Sequence, residues 1–441
     1  MVLSEFIALH KDDDIRTLAL QKMPEGIDAK WVLQQIEGYQ IAKKKLPTWV
    51  QGFKSSKVQG VLFPPRLSLE QCSSESTARY KAQLVQHSPF TPPSTPTFTP
   101  SFIDLTAGFG VDFSYMAQGF QHAIYVEPNE ELCHIARHNL PILGLPHAQV
   151  INTTCEQFLS SGLSPLTSPL GSAALHSKDL SPLTIYLDPS RRSSSGHKVM
   201  TIEDCTPNLL DLQDRLLEIA DTVIVKLSPM LDITDALRKL KGVTEVHVVS
   251  VKNECKELLF VIHRVPVSVP VPVDIHCVNL ETDEPDFIAP LQPQGATNVA
   301  IAEDVSAGGL LFVPNSSILK AGLQDVFAQR YGLRKLAPNS HLYVQECKGA
   351  RVQEVPVPVN VPVELPARQF RLLGISDFSK ASLKTFLRDI PQANLAVRNF
   401  PSDVATLRRR LKIKEGGSDY LFATTLADGT HVLLRCQKVT S

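Results

Sequence analysis

The chain has 441 residues, 43% of them apolar and 20% charged, with a formal net charge of −1. This length allows roughly two to four domains, and the composition fits a globular chain with a substantial core. A net charge near zero excludes a global pull toward nucleic acid, and no apolar run approaches the ~20 residues that span a bilayer.

The eight cysteines are scattered, with no C-x-x-C pair. Neither a disulfide framework nor a metal site is therefore expected. The start, Met1-Val-Leu-Ser-Glu-Phe-Ile, lacks the basic-then-apolar pattern of a signal peptide. A cytoplasmic location with reduced thiols is the expectation.

Residues 1–95 read as an N-terminal helical region. Trp31, Leu33, Ile36, Tyr39 and Ile41 recur near helical spacing over Ile27–Lys45. A second helical stretch covers Leu67–Val85, with a capping box at Ser68 and Gln71. The segment Ser73–Tyr80 is placed to fold over a ligand held by the strand that follows. Pro89–Pro100 reads as a stiff linker.

The strand Phe102–Leu105 runs into a glycine turn, Thr106–Gly110, and then a helix from Asp112. Such a turn lets a ligand lie on bare backbone at the carboxyl end of a parallel strand. Gly108 and Gly110 fit the first two positions of G-x-G-x-x-G, but Phe113 takes the third, and no P-loop Gly-Lys-Ser/Thr is present. The turn alone leaves a dinucleotide, a cationic nucleoside and an ordinary βα turn all open. A second strand, His122–Val126, ends in Glu127, 17 positions after Gly110. That is close to the spacing of about 20 at which a carboxylate takes both ribose hydroxyls. A helix over Asn129–Asn139 and a third strand, Gln149–Asn152, follow, then Thr153, Thr154 and Cys155.

Ser160–Pro182 has no period and reads as an insertion. The fourth strand, Leu183–Leu187, ends in Asp188-Pro-Ser-Arg-Arg192, and the fifth covers Asp221–Lys226. After a helix over Ile233–Leu240, Thr244–Val251 and Glu257–His263 form a closing hairpin. Proline on alternate positions marks Val265–Val273 and Pro356–Pro362, which favours edge or polyproline conformation. Between them, Phe312–Gly322 is the clearest structured part. Gln369–Val439 reads as an α/β module with a helix over Phe378–Leu387, a strand over Asn394–Arg398 and a basic helix over Val404–Leu411. It closes with a hairpin around Ala427-Asp428-Gly429.

Asp104-Leu-Thr-Ala-Gly-Phe-Gly110 resembles the first motif of class I S-adenosylmethionine-dependent methyltransferases. Together with Asp188-Pro-Ser-Arg-Arg192, Lys226-Leu-Ser-Pro229, Ser250–Glu257, Arg398-Asn-Phe-Pro401 and Leu407–Lys414, it resembles the bacterial members of that class that carry a ferredoxin-like and a C-terminal THUMP-like domain. The resemblance covers most of the chain from about residue 60 onward. It implies an α/β class I methyltransferase, Rossmann-like with a seven-stranded sheet, an N-terminal helical region and two small C-terminal α+β domains. The expected bounds are 1–95, 96–264, 265–365 and 366–441.

The resemblance implies S-adenosyl-L-methionine as cofactor, held by Asp104, Thr106, Ala107, Gly108, Gly110, Asp112, Glu127, Thr154 and Asp188. It implies RNA, tRNA or rRNA, as substrate and partner, with no membrane. Arg191 and Arg192, together with Arg408, Arg409 and Arg410, are the candidate RNA contacts. Lys43–Lys45 is a weaker basic cluster that also reads as a solvated helix face. No cysteine stands in the fourth- or fifth-strand loop, which disfavours covalent pyrimidine chemistry. Nitrogen or ribose-oxygen transfer remains, with Asp188 orienting the acceptor and Lys226 supplying charge. A methyltransferase of proteins or small molecules and a non-catalytic RNA-binding module stay open beside this reading.

Overall fold

A computed structural model describes residues 3–21, 23, 28–51, 60–86, 100–161, 182–191, 201–264, 272–292, 297–302, 305–345 and 365–439. The linker after residue 86, most of the insertion after Ser160 and most of both proline-alternating segments lie outside them. The chain divides into two compact units, residues 1–246 with 257–271, and residues 247–256 with 272–441.

Among its described residues, unit 1 opens with the helices α1 Leu3–His10, α2 Ile15–Ala19, α3 Ala29–Lys45, α4 Pro47–Gln51, α5 Arg66–Gln71 and α6 Glu75–Gln86. Asp28 caps α3 by accepting from the Lys30 and Trp31 amides. The expected single helix over Leu67–Val85 is broken at Cys72–Ser74, and the expected capping box at Ser68 does not form. Pro65 starts α5 two residues earlier without a side-chain cap, and Ser74 Oγ accepts from Thr77 N at 3.4 Å to start α6. Gly38 lets Phe63 press onto α3, since a Cβ there would stand 2.2 Å from that of Phe63. Gln35 then clamps the Phe63 backbone with bonds of 2.8 and 2.9 Å. Asn139 does the same for Leu62, at 2.8 and 2.9 Å.

The βα repeats follow: β1 Ser101–Asp104, α7 Val111–Met116, β2 His122–Glu127, α8 Glu130–Ile142, β3 Gln149–Asn152, α9 Cys155–Ser160, β4 Leu183–Leu187, β5 Ser190–Arg191, β6 Cys205–Thr206, α10 Leu209–Ile219, β7 Thr222–Leu227, α11 Ile233–Lys239, β8 Val243–Val251 and β9 Glu254–His263. The strand order is β8-β9-β7-β4-β1-β2-β3. Strands β7, β4, β1, β2 and β3 are parallel neighbours, and β9 is antiparallel to β7. This is the expected seven-strand arrangement. Parallel central strands need apolar cover on both faces, and β1 and β4 are buried throughout. Phe102, Phe113, Tyr125 and Tyr186 fill one cluster. Trp49, Phe63, Phe109 and Ile135 fill another, so the N-terminal helices share a core with the glycine turn and α8.

Unit 2 contains the outer part of β8 and the start of β9, followed by β10 Asp274–Leu280 and β11 Phe287–Pro290, which extend the strand order beyond β8 to nine. Then come β12 Leu310–Pro314, α12 Ser316–Ala321, α13 Gln324–Arg330, β13 Leu333–Lys335, β14 Tyr343–Gln345, β15 Ala367–Asp377, α14 Lys380–Phe386, β16 Asn394–Arg398, α15 Val404–Leu411, β17 Asp419–Thr425 and β18 His431–Lys438. Pairing of β12 with β15 joins the strands of both small regions into one seven-stranded sheet, β13-β14-β12-β15-β18-β17-β16. One face of it carries Leu311, Val313, Phe370, Phe422 and Leu434. The other carries Leu395, Leu421 and Leu433, packed with Leu407 of α15 and Leu383 of α14. Among the described residues, no helix is long and apolar enough to cross a membrane, and the cysteines are free thiols.

Candidate functional site

The site lies in unit 1, at the carboxyl ends of β1, β2, β4 and β7, where open parallel sheets place their ligands. Gly108 and Gly110 take φ of +54° and +85°, a region that only glycine visits freely. A Cβ on Gly110 would also stand 3.2 Å from Tyr125 Cε2. Tyr125 in turn donates its hydroxyl to the Gly108 carbonyl. Ala107 N donates to Val126 O at 3.0 Å, and Gly108 N donates to Glu127 Oε2 at 3.0 Å. The turn is therefore fastened to the end of β2 by backbone and carboxylate together. Glu127 Oε1 accepts from Asn129 N at 2.9 Å.

Asp104 is 1% exposed, and its Oδ1 accepts from Thr106 N at 2.9 Å. Burial pushes its carboxyl well above the ordinary range, and the charges of Asp112, Asp188 and Glu127 push the same way. Thr106 Oγ1 accepts from Asp188 N at 2.6 Å, so the turn also fixes the backbone of the fourth-strand loop.

Asp112 belongs to a buried charge network that the sequence does not announce. Its Oδ2 accepts from Ser73 Oγ and Tyr186 OH, both at 2.8 Å. Its Oδ1 lies 3.1 Å from Lys81 Nζ as an ion pair but has no aligned hydrogen-bond donor. Burial opposes the Asp112 charge, yet Lys81, Lys226 and the two hydroxyls outweigh it and hold its pKa below the usual carboxylate value. Lys81 is fully buried. It donates to both oxygens of Glu257 at 2.8 Å and to Ser73 Oγ at 3.0 Å. Burial raises the Glu257 carboxyl against the pull of Lys81 and Lys226.

Lys226 pairs with Asp188 across the ends of β7 and β4. Burial works against its charge, but Asp188, Asp112 and Glu257 raise its pKa above the ordinary lysine value. Its ammonium is thus a fixed charge, unsuited to act as a base.

The structure therefore gathers Asp104, Thr106, Ala107, Gly108, Gly110, Asp112, Glu127, Asp188 and Lys226 at one sheet end. Thr154 follows β3, and its Oγ1 caps α9 by accepting from Gln157 N at 3.2 Å. The Arg191 side chain and Arg192 lie outside the described residues. Sequence reasoning missed Lys81, Glu257 and Tyr186. A signal for Lys81 existed: with Ala78, Ala82 and Val85 it falls on the i, i+3, i+4, i+7 face of α6 that is buried. It also missed Cys205, which β5–β6 pairing sets opposite Arg191 and which is 6% exposed.

The basic clusters divide by use. Lys43 pairs with Asp12 at 2.8 Å, and Lys45 donates to the Leu69 and Glu70 carbonyls at 2.8 and 2.9 Å. In unit 2, Arg408 donates to Ala393 O at 3.2 Å and lies 3.6 Å from Glu415. Arg409 and Arg410 are exposed, with Arg410 over the Phe378 ring at 5.7 Å.

Comparison with known proteins places this geometry. A crystal structure of a candidate methyltransferase from Porphyromonas gingivalis W83 is 31% identical, covers 99% of this chain and 98% of its own, and superposes with a TM-score of 0.76. The chain belongs to that protein's family. Residues 367–438 match the THUMP domain-like family, and residues 310–348 match a ferredoxin-like domain family. The family thus joins a class I methyltransferase fold to ferredoxin-like and THUMP-like regions. An RNA methyltransferase from Salinibacter ruber, in complex with S-adenosyl-L-homocysteine, is 12% identical over 45% of this chain and 96% of its own, at a TM-score of 0.28. That likeness is too slight to carry an argument. No curated protein matches the chain.

Proposed function

We propose that the chain is an S-adenosyl-L-methionine-dependent methyltransferase acting on RNA, tRNA or rRNA, at a nitrogen or a ribose oxygen. One observation carries the donor. A glycine turn held at positive φ is ringed by the buried carboxyls Asp104, Asp112 and Glu127, and Asp112 Oδ1 has no aligned hydrogen-bond donor. Three carboxyls repel a diphosphate and suit a ligand with an ammonium and a sulfonium. Asp112 and Asp104 would hold the ammonium, and Glu127 the ribose hydroxyls.

When bound, the donor supplies an electrophilic methyl group on sulfur. The chain's own residues position the acceptor and manage its proton. Asp188 has a half-exposed carboxylate at the end of β4, its backbone is fixed by Thr106, and it orients the acceptor and takes its proton. Lys226 balances the Asp188 charge and keeps the carboxylate aimed. The RNA part of the reading rests on the THUMP-like match and on the exposed Arg409 and Arg410.

Calorimetry of S-adenosylmethionine with the parent and with Asp112→Ala tests the donor, with binding to the parent alone expected. Mass spectrometry of tRNA and rRNA nucleosides from a deletion strain tests the substrate. An unchanged modification profile counts against RNA.

A further inference from the structure

Strand β8 runs unbroken through Glu245 and His247, two positions apart, so both side chains leave the same face of the sheet. Its neighbour in the strand order is β10, which carries His276. The imidazoles of His247 and His276 stack, with ring centroids 4.3 Å apart and planes 26° from parallel. A ring nitrogen of each and a carboxylate oxygen of Glu245 lie within 4.8 Å of one another. Among the described residues, no other three metal-ligating side chains converge this closely.

The opposite face of the sheet holds these three in place. Val246 and Val248 alternate with them on β8, Ile275 and Cys277 flank His276 on β10, and all four are buried. On its far side β10 pairs with β11, with His276 in register with Ile288. His247 is 2% exposed, and Glu245 and His276 are half-buried. Side chains on packed strands keep their geometry better than side chains on loops.

Two imidazoles and one carboxylate form a ligand set of intermediate softness. Zinc takes such ligands at about 2.0–2.2 Å in a tetrahedron, which sets the ligand atoms about 3.3 Å apart. Drawing the three atoms in to that spacing needs only torsion shifts within a rotamer well. Magnesium and calcium take oxygen ligands instead. Cysteine spacing, which speaks against a metal in the sequence, does not bear on a site of this kind, because strand order brings His276 to His247. We propose that Glu245, His247 and His276 bind a zinc ion, with water as the fourth ligand. The ion ties β10 to β8. The site stands apart from the methyltransferase reading.

The test titrates the full chain, stripped with EDTA and dialysed, with zinc chloride in a calorimeter. One ion per chain is expected in the parent. His276→Ala and Glu245→Gln are expected to weaken binding at least tenfold, since even residues behind the ligands change metal affinity about 10–100-fold. Glu245→Gln keeps the size of the side chain and one carbonyl oxygen, so it serves if His276→Ala does not fold.

Cobalt(II) in place of zinc reports the ligand type. Nitrogen and oxygen ligands give visible bands without the near-ultraviolet sulfur-to-metal band of a thiolate. A sulfur band places the ion on the free cysteines and overturns the proposal. Equal zinc affinity in the parent and in the folded variants overturns it as well. So does a parent that shows neither heat with zinc nor visible bands with cobalt. Displacement of zinc by an equal concentration of magnesium marks an oxygen site and has the same consequence. None of these measurements involves a methyl donor or RNA, so failure of this site is distinguishable from failure of the methyltransferase reading.

Discussion

Lys81 Nζ lies 2.8 Å from both carboxylate oxygens of Glu257, a residue 176 positions away in sequence. The contact ties helix α6 to the antiparallel strand β9 and sets Lys81 beside Asp112. Removing one member of such a buried pair leaves an uncompensated charge. Lys81→Met is expected to cost about 3–5 kcal/mol in urea unfolding. Lys81→Met with Glu257→Leu restores much of that loss. A double variant as unstable as the sum of the singles contradicts a coupled pair.

Asp104 sets the pH dependence of unit 1 without ligand. Its folded pKa is raised by burial well above the ordinary 3.8, so the unfolded chain ionises first. The stability held by the protonated form is complete below pH 3.8 and falls as pH rises toward the folded pKa. Asp104→Asn keeps the acceptor for Thr106 N and removes this loss. The variant is expected to melt higher than the parent at pH 7 and equally near pH 3.8, and to bind S-adenosylmethionine at least tenfold more weakly. A parallel pair of Tm-versus-pH curves contradicts the assignment.

Asp112 behaves in the opposite sense. Its folded pKa is depressed below 3.8, against burial, by Lys81, Lys226, Tyr186 and Ser73. Its contribution is present above that value and disappears as pH falls through the folded pKa. Asp112→Asn should therefore flatten the acid limb of the stability curve. If the acid limb of the variant overlays that of the parent, Asp112 is not the group responsible.

Gly110→Ala meets two obstacles, a φ of +85° and Tyr125 at 3.2 Å. Left-handed backbone alone costs a non-glycine residue about 1–2 kcal/mol. A lowered Tm with abolished donor binding is expected. Retention of parental affinity would show that the turn does not cradle the donor.

The arginines of α15 divide into one structural and two exposed. Arg408→Ala should destabilise by about 1 kcal/mol through loss of its bond to Ala393. Arg409→Glu with Arg410→Glu should leave Tm within a degree or two and weaken RNA binding more than tenfold. RNA affinity unchanged in the double variant removes α15 from the RNA surface.

Period and punctuation made much of the fold legible. Strand β16 and helix α15 fall on the ranges read from sequence, because the Leu395/Val397 alternation, an Asp cap and flanking turn residues act locally. The glycine turn was legible for the same reason: φ above zero at Gly108 and Gly110 is a property of the backbone itself. Thr106, Asp188 and Lys226 were reachable as strand-end residues of a βα repeat. The break at Cys72–Ser74 was not, because Pro65 and Ser74 outweighed the capping box written around Ser68.

The sequence alone determined the order of βα units, the left-handed turn and the acidic residues at the strand ends, since each depends on residues a few positions apart. Tertiary structure alone decided that Lys81 faces Glu257 and Asp112, and that Asp188 is charge-balanced by Lys226. Those relationships are set by strand order and register, which bring together side chains too far apart in sequence for any local pattern to record.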